Sequence, residues 1–121
     1  MNSKNNEFRE EFKKRLTCYS LDVISFIEQL PRTTTAIILG KQLLRSATSV
    51  GANYFEAQAG NSRKDFVNFL TIALKSANES EYWFILFIQS NIGTKEKAAK
   101  LRTETVELAK MLGSIVKSLR S

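Results

Sequence analysis

The sequence contains no histidine and only one cysteine, Cys18, in its 121 residues. The lack of histidine excludes Ser-His-Asp and Cys-His nucleophile systems and removes the commonest metal ligand. A single cysteine cannot form an intramolecular disulfide, and with no histidine beside it a structural zinc site is excluded as well. We therefore expect no enzymatic activity, no cofactor and no metal, although carboxylate or lysine chemistry stays open. Cys18 is interpreted as a small, partly buried packing residue on a helix.

Turn-forming residues and long apolar runs are also scarce. One proline and five glycines leave little room for β-turns, which favours long helices. The longest apolar run covers residues 82–88 and is far too short to span a bilayer. The N-terminal stretch, residues 1–15, is charged and lacks the apolar core of a signal peptide. These features predict a single domain over residues 1–121 that resides in the cytoplasm and has no membrane contact.

Apolar residues recur at spacings of three and four and predict four helices. The helices are expected over about residues 6–30, 35–59, 62–91 and 94–120. Pro31 ends the first helix, a threonine of the run 33–35 caps the second, and Ser62 caps the third. Connections this short force neighbouring helices to run antiparallel. The predicted fold class is therefore all-α, an up-down-up-down four-helix bundle.

Each predicted helix has an apolar stripe that we assign to the core. The stripe residues are Phe8, Phe12, Leu16, Tyr19, Val23, Phe26, Ile27 and Leu30 on the first helix, Ile37, Gly40, Leu43, Leu44, Ala47, Val50 and Tyr54 on the second, Phe66, Phe69, Leu70, Ala73, Ala77, Phe84, Phe87 and Ile88 on the third, and Leu101, Thr105, Leu108, Leu112, Ile115 and Leu119 on the fourth. Residues 82–88 are apolar on every side of the third helix. Because one side of that segment faces the bundle core, we expect a second subunit to cover the other.

Polar residues occupy helical spacings where two helices should pack. Ser46, Ser49, Asn53 and Glu56 follow one another on the second helix, and Ser76 and Glu79 do so on the third. Together with Tyr82 and Trp83 they predict a structural polar network or a subunit interface, since buried polar groups require partners. A direct ligand role is the alternative. A metal site using Glu56, Glu79 and Glu81 is disfavoured because bundle sites of that kind pair glutamate with histidine.

Positive charge is unevenly distributed along the chain. The net charge is +6 with a pI of about 9.6, and residues 95–121 carry more of the excess than any other part. The candidate nucleic-acid-binding residues are Lys13, Lys14, Arg15, Arg63, Lys64, Lys95, Lys97, Lys100, Arg102, Lys110 and Lys117. A strip of such residues would bind phosphates without reading sequence. On sequence alone, a solvated lysine-rich face is an equal alternative.

Two stretches resemble a known bacterial family. The pattern Ser-x-x-Ser-x-x-x-Asn-x-x-Glu at residues 46–56 and the string Ile-Ala-Leu-x-Ser-Ala-x-Glu at residues 72–79 are similar to those of the four-helix bundle proteins encoded by intervening sequences in 23S rRNA genes. That family includes the accessory variability determinant proteins of diversity-generating retroelements. This chain has Tyr54 and Phe55 where the family usually has isoleucine and alanine, and Gly60 where arginine is frequent.

The resemblance implies a homopentamer without enzymatic activity. For the retroelement branch it also implies binding to nucleic acid and to a reverse transcriptase. The sequence therefore predicts a non-enzymatic accessory protein, a basic oligomeric bundle that binds the RNA or DNA backbone. The alternative is a protein–protein adaptor without nucleic-acid binding, favoured by the apolar segment 82–88 and the polar row on the second helix.

Overall fold

The computed structural model describes residues 3–60 and 62–120. Within these ranges the chain forms four helices and no strand: α1 (Ser3–Glu28), α2 (Thr34–Ala59), α3 (Arg63–Ser90) and α4 (Lys95–Arg120). The all-α prediction is confirmed. A single domain over residues 1–121 stays a prediction. Residues 1, 2, 61 and 121 of that range lie outside the described residues.

Side-chain caps fix where α2 and α3 begin. Thr33 Oγ1 accepts a hydrogen bond from the Ala36 N–H at 3.2 Å, and Ser62 Oγ accepts one from the Asp65 N–H at 3.0 Å. Both hydroxyls satisfy an amide that has no partner within its own helix. The α1 helix ends at Glu28, two residues before the predicted boundary at residue 30.

The connection between α3 and α4 depends on two residues with positive φ. Asn91 ends α3 in the left-handed conformation at φ 58°, and Gly93 follows at φ 80°. A Cβ added to Gly93 would lie 2.7 Å from Leu30 Cδ2, so both the backbone angle and the packing favour glycine. The α3–α4 turn is thereby held against the end of α1.

The core consists mostly of aliphatic side chains with aromatic pairs near the two ends. Phe26 packs against Phe84 and Phe87 with ring centroids 5.9 and 5.3 Å away. Near the other end, Phe12 meets Tyr54 edge-on at 4.8 Å. These pairs bring α1 into contact with α2 and α3 and add to the stabilisation from buried apolar area.

The apolar stripes predicted for α1 and α2 include residues that are not in the core. Phe8, Ile37 and Leu44 were assigned to the core, yet each is exposed. An apolar residue at the flank of a stripe satisfies the three-and-four spacing while its side chain points past the neighbouring helix. On α4 the stripe was too narrow, because Ala98 and Val116 are also buried.

A buried polar layer crosses the middle of the core. Tyr19 Oη and Thr105 Oγ1 lie 2.6 Å apart, joining α1 to α4. Ser46 Oγ and Ser80 Oγ lie 2.8 Å apart and join α2 to α3. Among residues 3–60 and 62–120, every buried side-chain nitrogen and oxygen has a hydrogen-bond partner. The layer therefore meets the condition under which buried polar groups cost little stability.

The four helices differ in how closely they pack. Contacts are densest between α2 and α3 and between α3 and α4, and they are sparsest between α1 and α4. Small residues explain the close α2–α3 packing, because Ala47, Ala73 and Ala77 are all fully buried. No helix in the described ranges is long and apolar enough to cross a membrane.

Candidate nucleic-acid interface

The predicted polar row is divided between the core and its edge. Ser46 is fully buried and pairs with Ser80, as described above. Ser76 Oγ donates to Ser49 Oγ at 2.9 Å, and Asn53 Nδ2 donates to the same hydroxyl at 2.8 Å. Most of the row thus forms one hydrogen-bonded line between α2 and α3, a partly buried continuation of the core layer.

Glu56 and Glu79 lie outside this line. Glu56 is exposed. The Glu79 carboxylate instead accepts hydrogen bonds from the Arg45 guanidinium on α2 and, at 3.0 Å, from Trp83 Nε1. Beside it Tyr82 is 54% exposed, and its ring centroid lies 5.3 Å from that of Trp83. Glu79 and Trp83 therefore belong to a surface cluster that joins α2 to α3.

Two of the candidate arginines are held in ion pairs between helices. Arg15 on α1 binds the Glu104 carboxylate with two hydrogen bonds of 2.7 and 2.8 Å, which is the principal reason that its pKa is raised. Arg102 on α4 donates to Glu81 on α3 at 3.1 and 3.2 Å. Because each guanidinium faces a carboxylate, both arginines contribute little net positive field to a phosphate strand.

Four more candidates have weaker contacts. Lys13 and Lys14 lie 3.6 and 3.8 Å from glutamates one turn earlier on α1, and the Lys13 ammonium also lies over the Phe55 ring. Arg63 donates to the Leu119 carbonyl at 2.9 Å, and Lys97 donates to Gln29 Oε1 at 2.6 Å. These side chains are exposed or half-buried, and surface contacts of this kind are weak enough to exchange for a phosphate.

Five candidate lysines have no hydrogen-bond or ion-pair partner among residues 3–60 and 62–120. They are Lys64, Lys95, Lys100, Lys110 and Lys117. Three of them, Lys100, Lys110 and Lys117, lie on the solvent-facing side of α4, and we call this set the α4 ridge. At 1.5 Å per residue the ridge is about 25 Å long. It ends close to Arg63, which bonds α4 at Leu119.

A groove of about 630 Å³ separates α1 from α4 beside this ridge, and we call it the α1–α4 groove. Its lining residues are Arg15, Cys18, Tyr19, Asp22, Ser25, Phe26, Lys97, Lys100, Leu101, Thr103 and Glu104. The Arg15–Glu104 pair crosses the groove, and the Lys97–Gln29 hydrogen bond crosses between the same two helices. The groove thus lies between the two helices whose mutual contacts are sparsest.

The structure places Cys18 on the wall of this groove. The thiol was interpreted as partly buried, but it is exposed. The interpretation failed because Cys18 lies one residue from the core stripe, on the side of α1 where no helix packs tightly. The groove residues that the sequence analysis missed, Cys18, Asp22 and Ser25, follow Arg15 along α1 at spacings of three and four. That second, polar stripe marks a helix face directed toward an open groove.

Acidic residues do not converge on a metal site in the described part of the chain. No group of three or more aspartate, glutamate or cysteine side chains is close enough to hold an ion there. Glu79 and Glu81, which were considered as metal ligands, bind Arg45 and Arg102 instead.

Comparison with known proteins agrees with this architecture. The family described as 23S rRNA-intervening sequence protein matches residues 11–114. The chain belongs to the 23S rRNA-intervening sequence protein family. The resemblance seen in the sequence is thereby confirmed, and the matched residues of this family member contain most of all four helices.

A solved structure gives the same result at the level of fold. A crystal structure of a protein with unknown function from the S23 ribosomal protein family, from Bacteroides thetaiotaomicron, is similar to this family member with a TM-score of 0.80. The two sequences are 38% identical, and the match covers 87% of this chain and 97% of that chain. No curated protein matches the chain.

Proposed function

We propose that this family member is a non-enzymatic accessory protein that binds the phosphate backbone of nucleic acid through the α4 ridge. The observation that carries the proposal is the ion-pair pattern. Both arginines nearest the helix interfaces are neutralised by glutamates, whereas the three ridge lysines have no partner among the described residues. Unpaired lysines on one helix face supply a phosphate strand with charge and with little sequence preference.

We infer that the helices are arranged up-down-up-down. The support comes from the residues that meet across two pairs of helices, α2–α3 and α1–α4. Ser46 pairs with Ser80 and Ser49 with Ser76, so one residue number rises as the other falls. Between α1 and α4, Arg15 binds Glu104 while Gln29 binds Lys97, which gives the same descending order. This arrangement places Lys110 and Lys117 along one continuous side of the bundle.

We propose further that copies of the chain associate through the outer face of α2 and α3. Arg45 and Glu79 connect the helices at the centre of this face. Two helical turns from Arg45, Ile38 is 54% exposed, and close to Glu79 in sequence Tyr82 is 54% exposed. Exposed apolar side chains around a paired charge are typical of an interface that excludes water. The family resemblance suggests a homopentamer.

Association would strengthen binding to nucleic acid. Each chain carries a net charge of +6, so five chains would carry about +30 and would present several ridges to one strand. If the chain belongs to the retroelement branch, a reverse transcriptase is its expected protein partner. From the charged N-terminal sequence we propose the cytoplasm as the compartment. Neither RNA nor DNA is favoured by the ridge alone, because lysine binds phosphate as a point charge.

The direct test is salt-dependent binding of the purified protein to labelled RNA and DNA oligonucleotides. We expect binding at about 50 mM salt that weakens steeply by about 200 mM, because neutralised phosphates release counterions. A variant with Lys100, Lys110 and Lys117 all changed to glutamine should bind weakly at both concentrations. Absence of binding by the unmodified protein at about 50 mM would reject the proposal.

A protein–protein adaptor is the second candidate function. It is favoured by the α2–α3 face, where Ile72 and Tyr82 are exposed on the same helix as the half-buried Trp83. Such a face could receive a different protein instead of another copy of this chain. Co-purification of one protein in fixed stoichiometry, with no nucleic acid in the complex, would support the adaptor and count against backbone binding.

A further inference from the structure

We propose that the α1–α4 groove receives one ribonucleotide of a bound strand and makes the protein prefer RNA over DNA. Lys97 and Lys100 would bind the phosphate, and Asp22 would accept hydrogen bonds from the ribose hydroxyls. This inference rests on the proposed backbone binding, and it adds a specific site to a ridge that cannot by itself distinguish the two nucleic acids.

The α4 wall of the groove is the phosphate side. Lys100 lies both on the α4 ridge and on this wall, so a strand bound along the ridge passes the exposed Glu107 and then reaches the groove. Lys97 gives one hydrogen bond to Gln29. An ammonium has three donors, so two remain for phosphate oxygens.

The α1 wall of the groove is the sugar side. Asp22 is exposed there and has no hydrogen-bond or ion-pair partner among residues 3–60 and 62–120. Ser25 lies one turn further along the same wall. A carboxylate is the group that proteins use to accept hydrogen bonds from ribose hydroxyls. It repels phosphate, so this wall selects for the sugar and orients the strand across the groove.

The floor of the groove is apolar and is suited to a base. Phe26 and Leu101 lie between the two polar walls, and both belong to the hydrophobic core. The volume of about 630 Å³ is within the range of small-molecule sites and leaves room for a nucleotide. Arg15 and Glu104 pair with each other across the groove. The two lysines of the α4 wall, Asp22 of the α1 wall and the apolar floor are then left to match phosphate, ribose and base in that order.

Cys18 gives a direct experimental readout of whether the α1–α4 groove is occupied. It is exposed on the groove wall and is the only cysteine in the sequence. The rate at which a maleimide dye labels the protein therefore reports how accessible Cys18 is on the groove wall. We expect saturating single-stranded RNA to slow labelling at least tenfold, and DNA of the same sequence to slow it much less.

The matched variants are Asp22→Ala and Glu28→Ala. Each removes one exposed carboxylate from α1, but only Asp22 lines the groove. Both variants should bind DNA somewhat more tightly through reduced repulsion. Only Asp22→Ala should reduce the ratio of RNA affinity to DNA affinity, by about tenfold, because it removes a charged hydrogen-bond acceptor.

The possible outcomes separate this inference from the proposed function. If the protein binds no nucleic acid, both fail. If it binds nucleic acid with salt dependence but Cys18 is labelled equally fast with and without RNA, the groove site alone is rejected. If RNA and DNA protect Cys18 equally, or if Cys18 becomes protected as protein concentration rises without nucleic acid, the groove is not an RNA site. Selective protection by RNA that Asp22→Ala abolishes supports it.

Discussion

Tyr19 Oη and Thr105 Oγ1 share a 2.6 Å hydrogen bond inside the core, where both side chains are buried. Thr105 also donates to the Leu101 carbonyl at 2.7 Å, so its remaining lone pairs are the natural acceptors for the tyrosine hydroxyl. The bond connects α1 to α4, the two helices with the sparsest packing. It therefore stabilises the α1–α4 interface, which has the fewest packing contacts of the bundle.

The effects of removing the two sides of this bond should not be additive. We expect Thr105→Val to lower the free energy of unfolding by about 1–3 kcal/mol, because the buried Tyr19 hydroxyl then loses one of its hydrogen-bond partners. The double variant Tyr19→Phe with Thr105→Val should lose less than the sum of the two single variants. Urea unfolding followed by circular dichroism measures all three. Strict additivity would show that the two hydroxyls do not interact.

The same tyrosine should make stability depend on pH above 10. Burial is the main cause that raises the pKa of Tyr19 to about 12 from 10.0, opposed by hydrogen bonds to Thr105 and Ser80. The unfolded chain then releases the proton near pH 10 while the folded chain keeps it, so stability is present below pH 10 and is lost as pH rises to about 12. The loss amounts to about 2–3 kcal/mol.

Tyr19→Phe is the control for this pH effect, because phenylalanine does not ionise. At about pH 9 the unmodified protein should have the larger free energy of unfolding, and the difference should equal the net contribution of one hydrogen bond. By about pH 11.5 that advantage should vanish or reverse. A constant difference between the two proteins across this range would contradict the assignment of the raised pKa to Tyr19.

Two glycines should respond to alanine in opposite directions. Gly93 has φ 80° and its added Cβ would meet Leu30 at 2.7 Å, so Gly93→Ala should cost about 1–2 kcal/mol. Gly113 lies inside α4 with no atom within 4 Å of an added Cβ. Gly113→Ala should therefore stabilise the protein by about 0.5–1 kcal/mol. Thermal unfolding of the two variants, run side by side, gives the sign of each change.

The sequence predicted the helices better than it predicted their contacts. Pro31, Thr33 and Ser62 mark boundaries through local chemistry, and each acts within a few residues of its own position. The pairing of Arg15 with Glu104 joins residues 89 positions apart, so it depends on how two helices are placed. No local pattern contains that information.

The polar row and the basic residues illustrate the same limit. Ser46 was recognised as a polar residue that needs a partner, but Ser80 was not recognised as that partner, because the choice depends on the register between α2 and α3. Likewise, Arg102 and Lys110 are equivalent as charges in the sequence. The structure separates them, because only Arg102 faces a carboxylate.

That separation predicts different effects on nucleic-acid binding. Lys110→Gln should reduce the slope of log affinity against log salt by about 0.7–0.9, the value of one lost phosphate contact. Arg102→Gln should change the slope by less than half as much, because Glu81 already neutralises the guanidinium. Fluorescence anisotropy at four or five salt concentrations measures both slopes. Equal effects of the two substitutions would show that the α4 ridge is not the binding face.

Association should fail when charge is placed on the α2–α3 face. Tyr82→Glu puts an unpaired carboxylate beside Glu79 at the centre of the proposed interface. We expect the oligomer to dissociate to a folded monomer, as measured by light scattering and circular dichroism. Ser114→Glu adds the same charge at an exposed position of α4, away from the proposed interface, and should leave the mass unchanged. An unchanged mass for Tyr82→Glu would place the interface elsewhere.

The central claim is that an oligomer of this chain binds the nucleic-acid backbone. The measurement that tests it most directly is sedimentation velocity with fluorescent single-stranded RNA, in which dye absorbance follows the RNA and protein absorbance follows the protein. At about 50 mM salt we expect the RNA to sediment with a protein oligomer, and at about 500 mM to sediment alone while the oligomer persists. RNA that sediments alone at the lower salt concentration, in the presence of excess protein, would contradict the account.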